Sequence, residues 1–387
     1  ADYPILVQPN AGLPKAVDNR MMFMLSGEYF ATYGRRYVDM GARGVGGCCG
    51  VGPAHIAELA RSLRPVQAGQ FSHQITVDHD EDKLQEPVPQ AEKSALGKRL
   101  AAGEWVTSVE IVPPRGYNLD KTIAKAVQCR EAGIDAINIP DGPRASSRIS
   151  PIVTAQRILT DAGIEPVLHF CCRDKNLIGM QADLLGCAAQ GINNILFITG
   201  DPPKLGDYSF ASGVFDVDAI GIVKFQNLMN RGIDMGGKKL KTPTRTLIGV
   251  GADPNALDFA AEVARTREKV EAGAEYIITQ PVFNTDALRK YLEEISDFRI
   301  PVIAGIWPLV SLRNAEFMRN EVPGVVVPDA IMERMSKHEQ KDDQLAEGLD
   351  IARESIAEIR ADVDGAQVSA PFGKVSTAID VITNSDG

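Results

Sequence analysis

Three short runs hold residue types that could do chemistry. Ile198-Thr199-Gly200-Asp201-Pro202-Pro203 ends an apolar stretch at a corner bearing a hydroxyl and a carboxylate, and Ser108-Val109-Glu110 places a second carboxylate at the end of another. Gly44-Val45-Gly46-Gly47-Cys48-Cys49-Gly50 sets two adjacent thiols in a glycine-rich corner, and His169 and Gln280 close two further apolar runs. In a (β/α) barrel, chemistry gathers at the carboxyl ends of the strands, so polar residues at such stops are the first suspects. Glu110 has few neutralising neighbours in sequence, which makes it a candidate for a raised pKa and hence a general acid. The hydrogen-bonding ring of His169, Thr199, Gly200, Asp201 and Gln280 suits a flat heterocyclic ligand more than a metal. A metal cluster of His169 with Cys171 and Cys172 is the lesser reading, because such side chains in an α/β core are mostly packed and neutral.

These residues need strands to carry them. Eight apolar runs near 105–112, 135–139, 166–170, 193–198, 246–250, 275–279, 301–306 and 366–370 are each followed by a helical pattern, which predicts a closed (β/α)8 TIM barrel over residues 104–384. On the first strand Trp105, Thr107, Val109 and Ile111 share the face that lies under the helices, so Glu110 points into the barrel mouth. Ahead of the barrel, residues 1–65 read as two βα units, with a strand and corner at Ile5–Asn10, a second strand at Ala42–Gly46 and helices at Gly27–Met40 and Pro53–Leu63. Two units cannot close a barrel, so this piece is a remnant of a second one. Residues 66–103 form a linker whose run Asp78-His-Asp-Glu-Asp82 is a solvated acidic segment rather than a metal site, with a short helix at Ser94–Ala102 leading into the barrel.

The totals narrow the class. With 387 residues, 44% of them hydrophobic, the chain has ample core for two or three domains. A net charge of −10 argues against nucleic acid or an anionic membrane as partner. No apolar run approaches the roughly 18 residues of a membrane span and no signal-peptide plan opens the chain, so the expected location is the cytoplasm. Six cysteines, four of them in adjacent pairs, do not make a disulfide framework. At the Gly-rich corner a freed backbone lets both Cys48 and Cys49 face one ion, the alternative being two small residues packed at a turn.

Two resemblances rest on these and further residues. Val7-Gln-Pro-Asn-Ala-Gly-Leu-Pro14, Glu28-Tyr-Phe30, the Cys48-Cys49 corner and Pro53-Ala-His55-Ile56 resemble the last quarter of the homocysteine S-methyltransferase barrel. That resemblance implies that Cys48 and Cys49 are zinc ligands of an incomplete site and that the chain is the tail of a longer polypeptide; His55 remains a surface or core residue. Ser108-Val-Glu110-Ile-Val-Pro-Pro-Arg115, His169-Phe-Cys-Cys172, Ile198-Thr-Gly-Asp-Pro-Pro203, Lys269-Val-Glu-Ala-Gly273, Ile278-Thr-Gln280-Pro-Val-Phe283 and Ala304-Gly-Ile-Trp-Pro308 are similar to methylenetetrahydrofolate reductase. The order of the two parts, with Asp201-Pro-Pro-Lys-Leu-Gly-Asp-Tyr208, Val214-Phe-Asp-Val217 and Ala370-Pro-Phe-Gly-Lys374, resembles bacterial proteins that fuse the two enzymes.

The second resemblance implies FAD at the barrel mouth, touched by His169, Thr199, Gly200, Asp201 and Lys269, and reduction of 5,10-methylenetetrahydrofolate to 5-methyltetrahydrofolate. Glu110 would be the general acid, Asp201 a catalytic and pterin-binding carboxylate, and Gln280 a second contact to the pterin edge. The electron donor stays open among NADH, NADPH and a redox protein, and relatives usually associate into homo-oligomers. Thr199 stands where many single-function reductases have Arg, and Pro140-Asp-Gly-Pro-Arg144 differs from their usual corner. Two other readings are an FAD- or folate-binding scaffold that needs a partner, and zinc-dependent methyl transfer in a longer parent chain.

Overall fold

The structure, a computed structural model, describes residues 3–11, 14–17, 20–23, 25–63, 84–203, 206–208, 210–322 and 325–385. The acidic run 78–82 and the signature residues Lys204 and Leu205 lie outside the described residues. The chain divides into two units, residues 1–70 and 71–387.

In the first unit a parallel pair, Leu6–Val7 with Gly44–Val45, is accompanied by helices Gly27–Asp39 and Pro53–Leu63. Ser26 starts the first helix by accepting from the Tyr29 N–H, satisfying one of the donors that a helix start leaves over. The helices close on Phe30, Ala31 and Leu59. His55 is a structural residue: its Nε2 donates to the Leu25 carbonyl and its Nδ1 accepts from Gly52 N–H. The two βα units match the sequence reading. An antiparallel pair, Pro14–Val17 with Arg20–Phe23, is an addition to it.

The second unit holds a barrel whose eight strands are β1 (Val106–Glu110), β2 (Ala136–Ile139), β3 (Glu165–Cys171), β4 (Asn194–Ile198), β5 (Leu247–Ala252), β6 (Tyr276–Pro281), β7 (Val302–Ile306) and β8 (Gly365–Ser369). Each lies within two residues of its predicted bounds at both ends. They close in sequence order with every neighbour parallel, β8 pairing with β1 so that Ser369 stands opposite Glu110. The surrounding helices are α1 (Asp120–Glu131), α2 (Pro151–Arg157), α3 (Leu177–Ala189), α4 (Ala219–Asn230), α5 (Phe259–Glu271), α6 (Thr285–Glu294), α7 (Lys341–Ile359) and α8 (Val375–Thr383), with Leu312–Glu321 and Asp329–Ser336 inserted after β7.

Strand alternation sorts the side chains as expected. Val109, Ile111, Ile137, Ile139, Leu168 and Phe197 face the helices in one large cluster. Val106, Ala136, Val167, Leu196, Leu247 and Tyr276 fill the barrel interior in another, together with Leu96 and Leu100. Burying each larger aliphatic side chain contributes about 1.5–3 kcal/mol, so this lower layer fixes the frame on which the mouth is built. Leu96 and Leu100 belong to helix Ala95–Ala101, which plugs the amino end of the barrel. Glu165 accepts from the N–H groups of Ala95 and Leu96, and buried Lys93 pairs with Glu275 at 2.7 Å. Residues 84–103, taken from composition as part of a connector, are thus packed on the barrel. Their apolar content is too low for a periodic signal, but two leucines one helical turn apart suffice to close the floor.

Candidate functional site

The barrel is filled below and open above. At Gly249 an added Cβ would lie 2.2 Å from Cζ of Tyr276, so the tyrosine ring occupies that layer; at Gly251, two residues on, it would meet nothing within 4 Å. The carboxyl end of β5 therefore faces open space. Strain gathers at the same end. Among the described residues the non-glycines with left-handed φ are Arg144 (57°) and Ala145 (50°) after β2, Phe215 (45°) after β4 and Phe372 (52°) after β8. Such residues persist only where the surroundings impose them, and they cluster at functional sites.

Glu110 ends β1 on the inward face, next to buried Ser108. No hydrogen bond reaches its carboxylate among the described residues, and burial pushes its pKa up from 4.5 to about 7. Desolvation penalises the charged form, so near neutral pH this carboxyl is divided between acid and anion.

A polar relay crosses the neighbouring strands. Fully buried Asn138 donates from Nδ2 to Ser108 Oγ at 2.7 Å, and its Oδ1 accepts from His169 Nε2 at 3.0 Å. Burial lowers the His169 pKa to about 4, so the ring is neutral and its Nδ1 carries the free lone pair. Sequence reading found His169 but missed Asn138 and Ser108. The available signal was an uncharged polar residue at an inward position of an apolar strand, which has to find a partner when buried.

At the end of β4, Thr199 Oγ1 accepts from Ala219 N–H at 3.1 Å and so fixes the start of α4. Gly200 has φ +90°, and a Cβ there would lie 3.0 Å from Cβ of Cys171, so the corner needs glycine both for its backbone and for its close approach. Asp201 is exposed, and its Oδ2 accepts from Arg144 N–H at 3.1 Å, which ties the β4 corner to the strained β2 corner. Gln280 is exposed within a register shift at the end of β6, between Ile278 and Pro281. Lys269, on α5, is buried; its Nζ donates to Gly251 O at 2.8 Å and lies 3.7 Å from Glu262. Burial is the main cause of its lowered pKa. The fold thus brings Glu110, His169, Thr199, Gly200, Asp201 and Gln280 to the same end of the barrel, and Lys269 holds the backbone at that end.

The lesser metal reading is not what the fold assembles. Cys171 lies near Asp141 and Asp174, while the predicted partner His169 is engaged by Asn138. Asp174 is paired with Arg173 through both carboxylate oxygens, and burial drives the Cys171 thiol pKa far up, which favours a packed neutral thiol. Beside this cluster a hollow of about 350 Å³ lies between the β2, β3 and β4 corners, lined by Ser146, Arg148, Arg173 and Tyr208.

In the first unit Cys48 and Cys49 are exposed with their sulfurs 3.8 Å apart. Two thiolates bound to one tetrahedral zinc at ~2.3 Å would stand about 3.8 Å apart, so the pair fits half of a thiolate site. The corner is held by Asn10 Oδ1 accepting from Cys49 N–H and by Pro9 O accepting from Cys48 N–H. No third His, Cys, Asp or Glu ligand joins the pair among the described residues.

The barrel mouth can also be tested against a flavin. A neutral imidazole acceptor, the Thr199-Gly200-Asp201 corner and the open space beside Gly251 fit a planar polar ring system, with Lys269 as the cation of that side.

Comparison with known proteins bears on the barrel as a whole. Residues 95–367 match the family model of methylenetetrahydrofolate reductase, and residues 1–63 match that of homocysteine S-methyltransferase. A probable methylenetetrahydrofolate reductase (NADH) of Oryza sativa subsp. japonica is 26% identical over 63% of this chain and 42% of its own length. The 5,10-methylenetetrahydrofolate reductase of Salmonella typhimurium is 21% identical over 58% of this chain and 72% of its own. The chain spans about two fifths of the length of the plant relatives it matches. A solved structure of an uncharacterised Clostridium thermocellum protein that binds two copies of 5-methyl-5,6,7,8-tetrahydrofolic acid has the same fold, with a TM-score of 0.55 at 18% identity over 76% of this chain and 98% of that one. With a matching model over most of its length and a closed eight-stranded barrel beneath it, the chain belongs to the methylenetetrahydrofolate reductase family.

Proposed function

We propose that the barrel reduces 5,10-methylenetetrahydrofolate to 5-methyltetrahydrofolate, with FAD held by His169, Thr199, Gly200, Asp201 and Lys269. The observation that carries this reading is Glu110, a desolvated carboxyl with a pKa of about 7 at the mouth of a barrel of this family. The substrate's five-membered ring must open before reduction, and N10 is a poor leaving group until protonated. Glu110 donates that proton, the N10–methylene bond breaks with its electron pair going to N10, and a cationic iminium forms at N5. A carboxyl poised near the working pH contributes about 10²–10⁴-fold in such a role. Asp201, exposed and anchored at one oxygen, accepts from the pterin and stabilises the cation, while Gln280 binds the pterin edge. A bound flavin supplies the hydride that completes the methyl group. Water then returns a proton to Glu110.

The test is turnover: the chain, FAD, methylenetetrahydrofolate and a reduced donor are expected to yield 5-methyltetrahydrofolate. NADH, NADPH and a reduced redox protein are each supplied in turn. Absence of product with all three, from a chain that holds flavin, would remove the reductase assignment.

A further inference from the structure

Strand β6 breaks its alternation just where it reaches the mouth. Its register with β7 pairs Ile277 with Val302 and Ile278 with Ile303, and then Pro281 with Gly305. From Ile278 to Pro281 is three steps on β6, whereas Ile303 to Gly305 is two on β7, so β6 carries one extra residue. That is a β-bulge, a device that re-aims side chains and is over-represented beside active sites. Its effect shows in the packing. Tyr276 and Ile278 belong to the barrel interior, and strict alternation would send Val282 inward too, yet Val282 lies in the helix-facing cluster with Ile277. The face changes between Thr279 and Pro281, and Gln280 sits at the change.

One hydroxyl bridges this irregularity. Thr279 is only 5% exposed; its Oγ1 accepts from Gly305 N–H at 2.9 Å and donates to Gln280 O at 2.8 Å. In a regular parallel ladder a backbone carbonyl would take the Gly305 N–H. Here the hydroxyl stands in for it, and the hydroxyl's own proton fixes the Gln280 carbonyl. The β7 backbone comes in close from the other side: a Cβ at Gly305 would lie 2.4 Å from Thr279 O and 3.2 Å from Gln280 C and O. A glycine on one strand and a hydroxyl on the other thus hold the Gln280 peptide between them.

We infer that Thr279 is a positioning residue, whose hydroxyl holds the bulge that turns the Gln280 amide toward the pterin edge. In this role Thr279 acts through Gln280. The inference rests on the proposed reductase reading, which gives Gln280 its ligand.

The experiment measures KM and kcat for methylenetetrahydrofolate, FAD content and the ligand-free thermal midpoint. It compares the full chain with Thr279→Val, Thr279→Ser, Gln280→Ala and the double variant Thr279→Val, Gln280→Ala. Valine keeps the shape of threonine without its hydroxyl, and serine keeps the hydroxyl. Thr279→Val is expected to raise KM roughly tenfold through one misaimed hydrogen bond, with kcat near the parent value because the loss is one of binding. Thr279→Ser restores the parent KM, and FAD content is the same throughout. The double variant has the KM of Gln280→Ala alone, since both changes remove one contact. A parent KM in Thr279→Val, a serine variant as impaired as the valine one, or a double variant whose KM multiplies the two single effects overturns the inference and leaves the reductase reading in place. If Thr279→Val does not fold, Thr279→Ala replaces it with the same readings. Failure of both to fold also overturns the inference, since the hydroxyl would then serve the frame. If the parent chain turns over no folate with any donor, the reductase reading itself fails, and this inference with it.

Discussion

At the residue scale the account turns on one proton. Glu110 is held up to about 7 by burial, whereas in the unfolded chain it titrates near 4.5. Below about 4.5 both states are protonated and the group costs nothing; as pH rises toward 7 the unfolded state ionises first, so stability is lost across that window and stays lost above it. Glu110→Gln removes the penalty. At pH 8 the variant is expected to be more stable by roughly 2–3 kcal/mol at most, read by denaturant midpoint, because about 1.4 kcal/mol follows each pKa unit and the group is not fully shielded. Turnover is expected to fall at least ~100-fold in the same variant, and the parent's rate to decline as pH rises through about 7. A gain in stability coupled to a loss of rate is the signature of an acid kept protonated by its surroundings. The relay behind it makes a second prediction. Asn138→Leu leaves Ser108 and His169 without their partner, and unfolding by urea is expected to show a loss of about 1–3 kcal/mol. The sequence made Glu110 and His169 legible because ionisable residues at strand ends stand out against apolar runs. Asn138 was not legible as a site residue, since its importance lies in a cross-strand hydrogen bond that only the β1–β2–β3 register creates.

At the element scale β5 separates frame from site. Its two inward glycines face different layers: Gly249 is covered by Tyr276, and Gly251 borders the open mouth. Gly249→Ala is expected to destabilise the barrel by about 1–3 kcal/mol through overpacking, with flavin binding intact at low temperature. Gly251→Leu is expected to leave the thermal midpoint within a degree or two and to reduce flavin content on purification. Equal effects of the two would show that mouth and floor are not distinct layers. The eight barrel strands were readable to within two residues, because alternation and apolar runs are local signals. The floor helix Ala95–Ala101 was seen as a helix but not as a plug, because seven residues carry no long-range information about what they cap. The Asp201–Arg144 tie between two corners escaped for a related reason: it needs a left-handed residue that no sequence pattern announces.

At the scale of the whole molecule, every residue proposed to act directly in the reductase reaction lies between Glu110 and Gln280, inside the unit that spans residues 71–387. On that proposal the thiol pair of the first unit takes no part in the chemistry. A Cys48→Ser, Cys49→Ser double variant is expected to reduce folate at the parent rate, measured with the same donor, while losing any zinc that the parent retains. The chain's acidic balance, −10 overall, does not attract nucleic acid or an anionic membrane and suits action on small substrates. Within this division of labour the central claim is that the barrel holds a flavin that exchanges hydride with the folate methyl group. The most direct measurement is an anaerobic absorbance spectrum of the FAD-loaded chain before and after adding 5-methyltetrahydrofolate. The expected result is a band near ~450 nm that bleaches, reporting the reverse half-reaction, and that bleaches far more slowly in Glu110→Gln, since the acid of one direction is the base of the other. A bound flavin whose spectrum does not change in the parent chain, or a chain that takes up no FAD, would contradict the account.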